Sequence, residues 1–208
     1  MKENNKENKG LRLEEEAAAY SFDEYYTFEE FKEMEFPDDV GKVELIDGVI
    51  CYQGGATRKH EELVTEISRQ FANYLLGKKC KVFGSNYTYV LQNKWKKERK
   101  LPEDTGVKPD IAIVCNAEIL KEDAAYGAPT IAIEVLSKGT RKKDLNDKYD
   151  LYEENGVKEY WVIYPEEEII EINYLNENGV YAKNKKFTFD DEINVNILGD
   201  FKLKVNIV

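Results

Sequence analysis

The chain is poor in the residues that build metal clusters and cross-linked scaffolds. Among its 208 residues are three cysteines, Cys51, Cys80 and Cys115, far apart and with no CxxC pair, and one histidine, His60. That cysteine spacing supports neither a zinc site nor a disulfide framework, and predicts free thiols in apolar surroundings and a reducing compartment. No apolar run approaches the roughly 18 residues a membrane span requires. The N-terminal MKENNKENKG also lacks the apolar core of a signal peptide. A soluble, cytoplasmic protein with no membrane partner is the expectation. Positive charge is short too, with 30 Lys and Arg against 41 Asp and Glu, a formal net charge of -11. A surface that wraps nucleic acid on every side is thereby excluded, because phosphate contacts need clustered cations. Any such contact has to be local. Two basic segments qualify, KWKKERK at 94–100 and KGTRKK at 138–143, and either one alone also reads as solvated loop charge.

What is present is material for a core. The sequence is 42% hydrophobic and 12% aromatic, with 14 tyrosines, which suits a folded protein rather than a disordered one. Residues 1–20, repetitive in Lys, Glu and Asn, read as a frayed tail, and 21–208 as a single domain. TFEE at 27–30 has the spacing of a capping box and predicts a short helix to about Met34. VELIDGVICY predicts two strands turning at Asp47-Gly48. Between Thr57 and Leu76 the positions Leu63, Val64, Ile67, Phe71 and Leu75 form one apolar stripe, with Thr57 as cap and Gly77 as stop. Strands are expected over 80–91, with a kink at Gly84, and over 107–115, 130–136 and 158–164. The segment 92–106 reads as loop. A helix over about 140–154 precedes the last of those strands, and a strand, helix, strand passage favours parallel pairing. A hairpin follows at 168–184, and FKLKVNIV reads as a final strand.

Two acids stand out because they occupy apolar runs: Asp110 in VKPDIAIVC and Glu134 in PTIAIEVLS. An unpaired carboxylate in such a setting costs several kcal/mol, so each needs a partner. Side chains alternate along a strand, so Asp110 shares a face with Ala112 and Glu134 with Ala132. An antiparallel register that sets Asp110 opposite Glu134 also sets Ala112 opposite Ala132. It turns Ile111, Ile113, Ile131, Ile133 and Val135 to the other side together. The two acids would then have Cβ atoms roughly 4.5–5.5 Å apart. Carboxylates that close repel unless a proton or a cation intervenes, and Mg2+ or Mn2+ suits such an oxygen set. The competing structural reading has Asp110 capping a turn and Glu134 paired with Arg141 or Lys148.

In the following helix Asp144, Lys148 and Tyr152 recur every four residues. Lys148 can reach back to the strand ends or simply pair with Asp144; Tyr149 and Tyr152 read as core. His60 reads as a partly buried helix residue with a satisfied ring, the alternative being a general base or phosphate contact.

KPD at 108–110, followed by the acid in IAIEV, resembles the PD-(D/E)XK nuclease superfamily. With ELIDG at 44–48, RKH at 58–60, GAPTIAIEVLS and TRKKDLNDKYDLYEENGVKEYWVI, residues 28–205 more narrowly resemble the Uma-two family of restriction-endonuclease-like proteins. The resemblance implies an α/β fold of the α+β mixed-sheet kind: a restriction-endonuclease-like αβββαβ core with extra β-hairpins. It also implies Mg2+-dependent or Mn2+-dependent endonuclease activity on nucleic acid, DNA foremost, by a homodimer. Asp110, Glu134 and the carbonyl of Val135 would be metal ligands, Glu44 an accessory acid, and Lys148 the catalytic lysine. The superfamily's usual lysine position, two residues after the second acid, holds Leu136. That departure and the net charge leave open a catalytically silent nucleic-acid-binding or assembly module retaining the fold.

Overall fold

The computed structural model describes residues 25–37, 40–93, 104–137, 146–205 and 207. The expected tail at 1–20, the basic segments 94–100 and 138–143, and Arg141, Asp144 and the first turns of the helix expected from 140 lie outside the described residues.

Thr27 closes its capping box with Glu30 and starts α1 (Phe28–Lys32). Strands β1 (Lys42–Ile46) and β2 (Val49–Gln53) form the expected hairpin, with Asp47 and Gly48 both at positive φ as a two-residue turn of this kind demands. Helix α2 (Arg58–Leu75) is capped by Thr57 and buries Leu63, Ile67, Phe71 and Leu75. Then follow β3 (Lys81–Gly84), β4 (Thr88–Gln92), β5 (Asp104–Val107), β6 (Ile111–Val114), β7 (Ala124–Tyr126) and β8 (Ile131–Val135). The chain continues through α3 (Asp147–Glu154), β9 (Glu159–Tyr164), β10 (Ile169–Leu175) and β11 (Tyr181–Thr188), and through the short pair β12 (Ile193–Asn194) and β13 (Lys202–Leu203).

Six strands form one mixed sheet in the order β11-β10-β9-β8-β6-β3, and five form a second in the order β2-β1-β5-β4-β7. The run α2, β3, β6, β8, α3, β9 is the αβββαβ core, and β8 pairs parallel to β9 across α3 as expected. Ala112 lies opposite Ala132, Ile111 opposite Ile133 and Ile113 opposite Ile131. The five apolar residues Ile111, Ile113, Ile131, Ile133 and Val135 enter one core with Leu63, Ile67 and Phe71 of α2. Ala112 and Ala132 enter the other, with Leu151 and Tyr152 of α3 and with Tyr89, Leu91 and Val107 of the second sheet. Small side chains on that face leave room for the layer that carries part of the site.

Three expectations need correction. The stretch 80–91 is not one kinked strand but two, β3 in the six-stranded sheet and β4 in the five-stranded one. The chain likewise changes sheet between β5 and β6, across Lys108-Pro109-Asp110, so Asp104–Val107 is strand rather than loop and strand 107–115 is broken. The final strand shrinks to Lys202–Leu203. Two of the cysteines are also not free. Because β3 runs antiparallel to β6 with Lys81 opposite Val114, Cys80 and Cys115 fall side by side and are disulfide-bonded, leaving Cys51 as the buried thiol. Among the described residues no helix is long and apolar enough to cross a membrane.

Candidate active site

The site lies where the chain passes from one sheet to the other. Asp110 sits one residue before β6, and Glu134 is the fourth residue of β8; continuing the ladder from Ile111 and Ile133 sets the two acids side by side. The main-chain amide of Val135 donates to Asp110 Oδ2 at 2.9 Å and locks that relation. Both acids are buried, and both line a cleft of about 370 Å³ together with Lys42, His60, Val135 and Ser137.

Each acid is already partnered. Asp110 accepts from Lys42 Nζ on Oδ1 at 2.8 Å and meets His60 Nε2 through Oδ2 at 3.2 Å. An ionised carboxylate only accepts, so Nε2 carries the proton. Burial opposes the charge on Asp110, but His60 and Lys42 outweigh it and hold the carboxyl well below the ordinary carboxylate range. Protons therefore do not compete for this group near neutral pH. On His60, burial disfavours the charged ring, and the hydrogen bond and charge of Asp110 overcome it and raise the pKa. Nδ1 of the ring is 3.4 Å from Glu61 Oε1, near enough for attraction but without hydrogen-bond alignment. The expected satisfied helix histidine is thus a cleft residue with one nitrogen on the first acid.

Glu134 Oε1 accepts from Lys148 Nζ at 2.9 Å and from the Tyr152 hydroxyl at 2.9 Å. Lys148, fully buried, also lies 3.0 Å from Glu44 Oε1. Glu44 in turn accepts from the Lys108 amide and from Gln53 Nε2, each at 2.6 Å. So the helix lysine does reach the second acid, over the face on which Leu136 is buried, and it is shared with Glu44. Tyr152, expected only to pack, is a hydrogen-bond donor to Glu134. Burial, with Glu134 and Glu44 nearby, pushes its hydroxyl pKa well up, so it stays protonated.

Sequence reasoning passed over Lys42 and Gln53. The available signal was period-two alternation: Lys42 and Glu44 are two apart on β1 and share a face, and Gln53 is the cross-strand partner of Lys42.

The donor set fits a hard divalent cation. Among the described residues no three His, Cys, Asp or Glu side chains are disposed to hold a metal. Asp110, Glu134 and Val135, the three residues expected to hold it, line one cleft. Across the cluster three carboxylates face two ammonium groups and one imidazole, so the charges cancel when His60 is protonated and leave one negative charge when it is neutral.

A raised His60 pKa stabilises the fold below the ring's ordinary value of 6.5, and that contribution fades as pH climbs through the higher folded value. Thermal unfolding of the parent should become easier as pH rises above the ring's ordinary value of 6.5, and His60→Gln should flatten the decline; an unchanged slope would contradict the contact.

The fold has counterparts among known proteins. A curated relative from Synechocystis sp. (strain ATCC 27184 / PCC 6803 / Kazusa), named "Uncharacterized protein slr1290", is 25% identical over 139 residues, 66% of this chain and 68% of its own. Among solved structures, a "putative nuclease belonging to DUF820" from Anabaena variabilis ATCC 29413 superposes with a TM-score of 0.69 at 17% identity. That match covers 86% of this chain and 94% of the other, and it establishes the shared fold. The model of the Uma2 family, described as "Putative restriction endonuclease", matches residues 28–206, nearly all of the described protein, and this chain belongs to that family.

Proposed function

We propose that the protein is a metal-dependent endonuclease that hydrolyses DNA phosphodiester bonds. The observation that carries this is that Asp110, one residue before β6, and Glu134 of β8 lie side by side at the end of the β6–β8 ladder and line one cleft with Val135. Family membership and the nuclease named among its structural neighbours point the same way. Asp110, Glu134 and the Val135 carbonyl would hold Mg2+ or Mn2+. When bound, such an ion supplies the Lewis acidity that phosphodiester hydrolysis by water requires.

The chain's own residues prepare the site. Lys42 and His60 keep Asp110 ionised, and the Val135 amide fixes its rotamer. Lys148 and Tyr152 hold Glu134 from the α3 side, and Glu44 anchors Lys148 on the other. The buried lysine thus moderates repulsion between acids and sets their positions before substrate arrives. The basic segments 94–100 and 138–143 flank the acids in sequence and would hold the DNA backbone, and double-strand cleavage would need a homodimer with one cleft per strand.

The parent protein should convert supercoiled plasmid to the nicked form with Mg2+ or Mn2+, should not do so in EDTA, and should bind DNA less tightly as salt rises. A second reading, a silent module, is favoured by one observation: every oxygen of Asp110 already has a protein donor. Absence of metal-dependent nicking in the parent would select that reading over the enzyme.

A further inference from the structure

On the reading of this cleft as a nuclease site, we infer that Lys42, not Lys148, is the lysine that meets the scissile phosphate, and that Lys42 is an internal counter-ion which a divalent cation displaces from Asp110.

The two lysines stand in opposite situations. Lys148 is fully buried, is absent from the cleft lining, and has its ammonium between Glu44 and Glu134. Moving it toward a substrate would take the shared ammonium away from two buried carboxylates, which is strongly unfavourable. Lys148 is a positioning residue. Lys42 lines the cleft with a side chain 12% exposed, and among the described lining residues it alone carries a permanent positive charge. Its Nζ donates to the Lys108 carbonyl at 2.9 Å and to Asp110 Oδ1 at 2.8 Å, so it occupies one side of the very carboxylate that would take the metal.

Two cations cannot share that oxygen comfortably. A divalent ion on Asp110 repels the ammonium, and the long, flexible lysine stem allows the head to move while β1 stays in place. The base of that stem is held firmly: Gly41 adopts φ +74°, and a Cβ there would lie 2.6 Å from the Gln53 carbonyl oxygen, so β1 starts hard against the end of β2. The displaced ammonium would stay tethered by its stem to the wall of the cleft, within reach of a substrate phosphate that enters it. A point charge with three donors suits a non-bridging phosphate oxygen there.

Lys42→Gln tests both halves, because glutamine can still donate to the Lys108 carbonyl but carries no charge. Mn2+ binding, followed by titration calorimetry without DNA, should tighten by about tenfold once the competing cation is gone. The rate of plasmid nicking at saturating Mn2+ should fall by about 10²-fold, the usual scale for losing one electrostatic contact to the transition state. A purely structural lysine would move the two readouts together. Unchanged or weaker Mn2+ binding, or a saturated rate within about threefold of the parent, would overturn the inference while a nicking parent leaves the nuclease reading intact. A parent that binds Mn2+ but never nicks would end the nuclease reading and the phosphate role, and tighter Mn2+ binding by Lys42→Gln would still uphold the counter-ion role. Lys42→Arg retains the charge and should keep most of the nicking; equal loss in both variants would overturn the inference. If Lys42→Gln does not fold, Lys42→Met replaces it in the same comparison.

Discussion

Asp110→Asn should remove metal-dependent plasmid nicking, a loss of about 10³-fold or more, because it takes away the carboxylate on which the site converges. Asparagine keeps the volume and can still accept the hydrogen bond of the Val135 amide, so the strand register should survive. What disappears is one negative charge in a place where Lys42 and His60 both depend on it. The variant should therefore also unfold more easily than the parent near pH 6, where a protonated His60 loses its counter-ion. Loss of activity with a wild-type circular dichroism spectrum is the expected combination. Nicking within tenfold of the parent by a folded Asp110→Asn protein would mean that the chemistry lies elsewhere.

Lys148→Met should be the most damaging single change for stability. The ammonium is fully buried between two glutamates, and a methionine of similar length leaves both buried carboxylates without that charge, although the Lys108 amide, Gln53 and Tyr152 still donate to them. Removing one member of such a buried group costs about 3–5 kcal/mol. For a protein of this size each kcal/mol moves the melting temperature by about 2–4 °C, so a fall of roughly 6–20 °C is expected in a calorimetric scan. Adding Glu44→Gln should restore part of the loss, because it removes one of the orphaned charges, and the double-mutant cycle should show strong coupling. A drop of less than about 1 kcal/mol, or strict additivity, would contradict the shared ion pair.

Much of this was legible in the sequence because it follows from alternation. Small and branched residues alternate through DIAIV and TIAIEV, and every antiparallel register of one parity puts the isoleucines and Val135 on one face and both alanines on the other; the structure adopts the one that sets Ala112 opposite Ala132. Helix α2 was legible from a single apolar stripe with a cap and a stop. The sheet change at Gly84 to Tyr87 and at Lys108-Pro109 was not, because strands buried in either sheet carry the same apolar composition and nothing local says which sheet they join. The Cys80–Cys115 bond was hidden for a related reason: the two residues become neighbours only after β3 pairs with β6, 35 positions apart in sequence.

At the site the acids and Lys148 were legible, and their partners less so. Lys42 precedes the expected hairpin and drew no reading of its own, and its role depends on β1 lying beside β5, a long-range pairing. His60 and Tyr152 each carry an apolar ring that fits a core position, so a polar tip aimed at a carboxylate could not be distinguished from packing. Both turn out to be the hydrogen-bond donors that hold the acids.

Calorimetric titration of Mn2+ into the parent, Asp110→Asn and Glu134→Gln tests most directly whether the two acids hold one cation together. The expected result is saturable binding by the parent that weakens by at least about tenfold in each variant. Binding of equal strength in all three proteins, or no binding by the folded parent, would contradict a shared cation between Asp110 and Glu134.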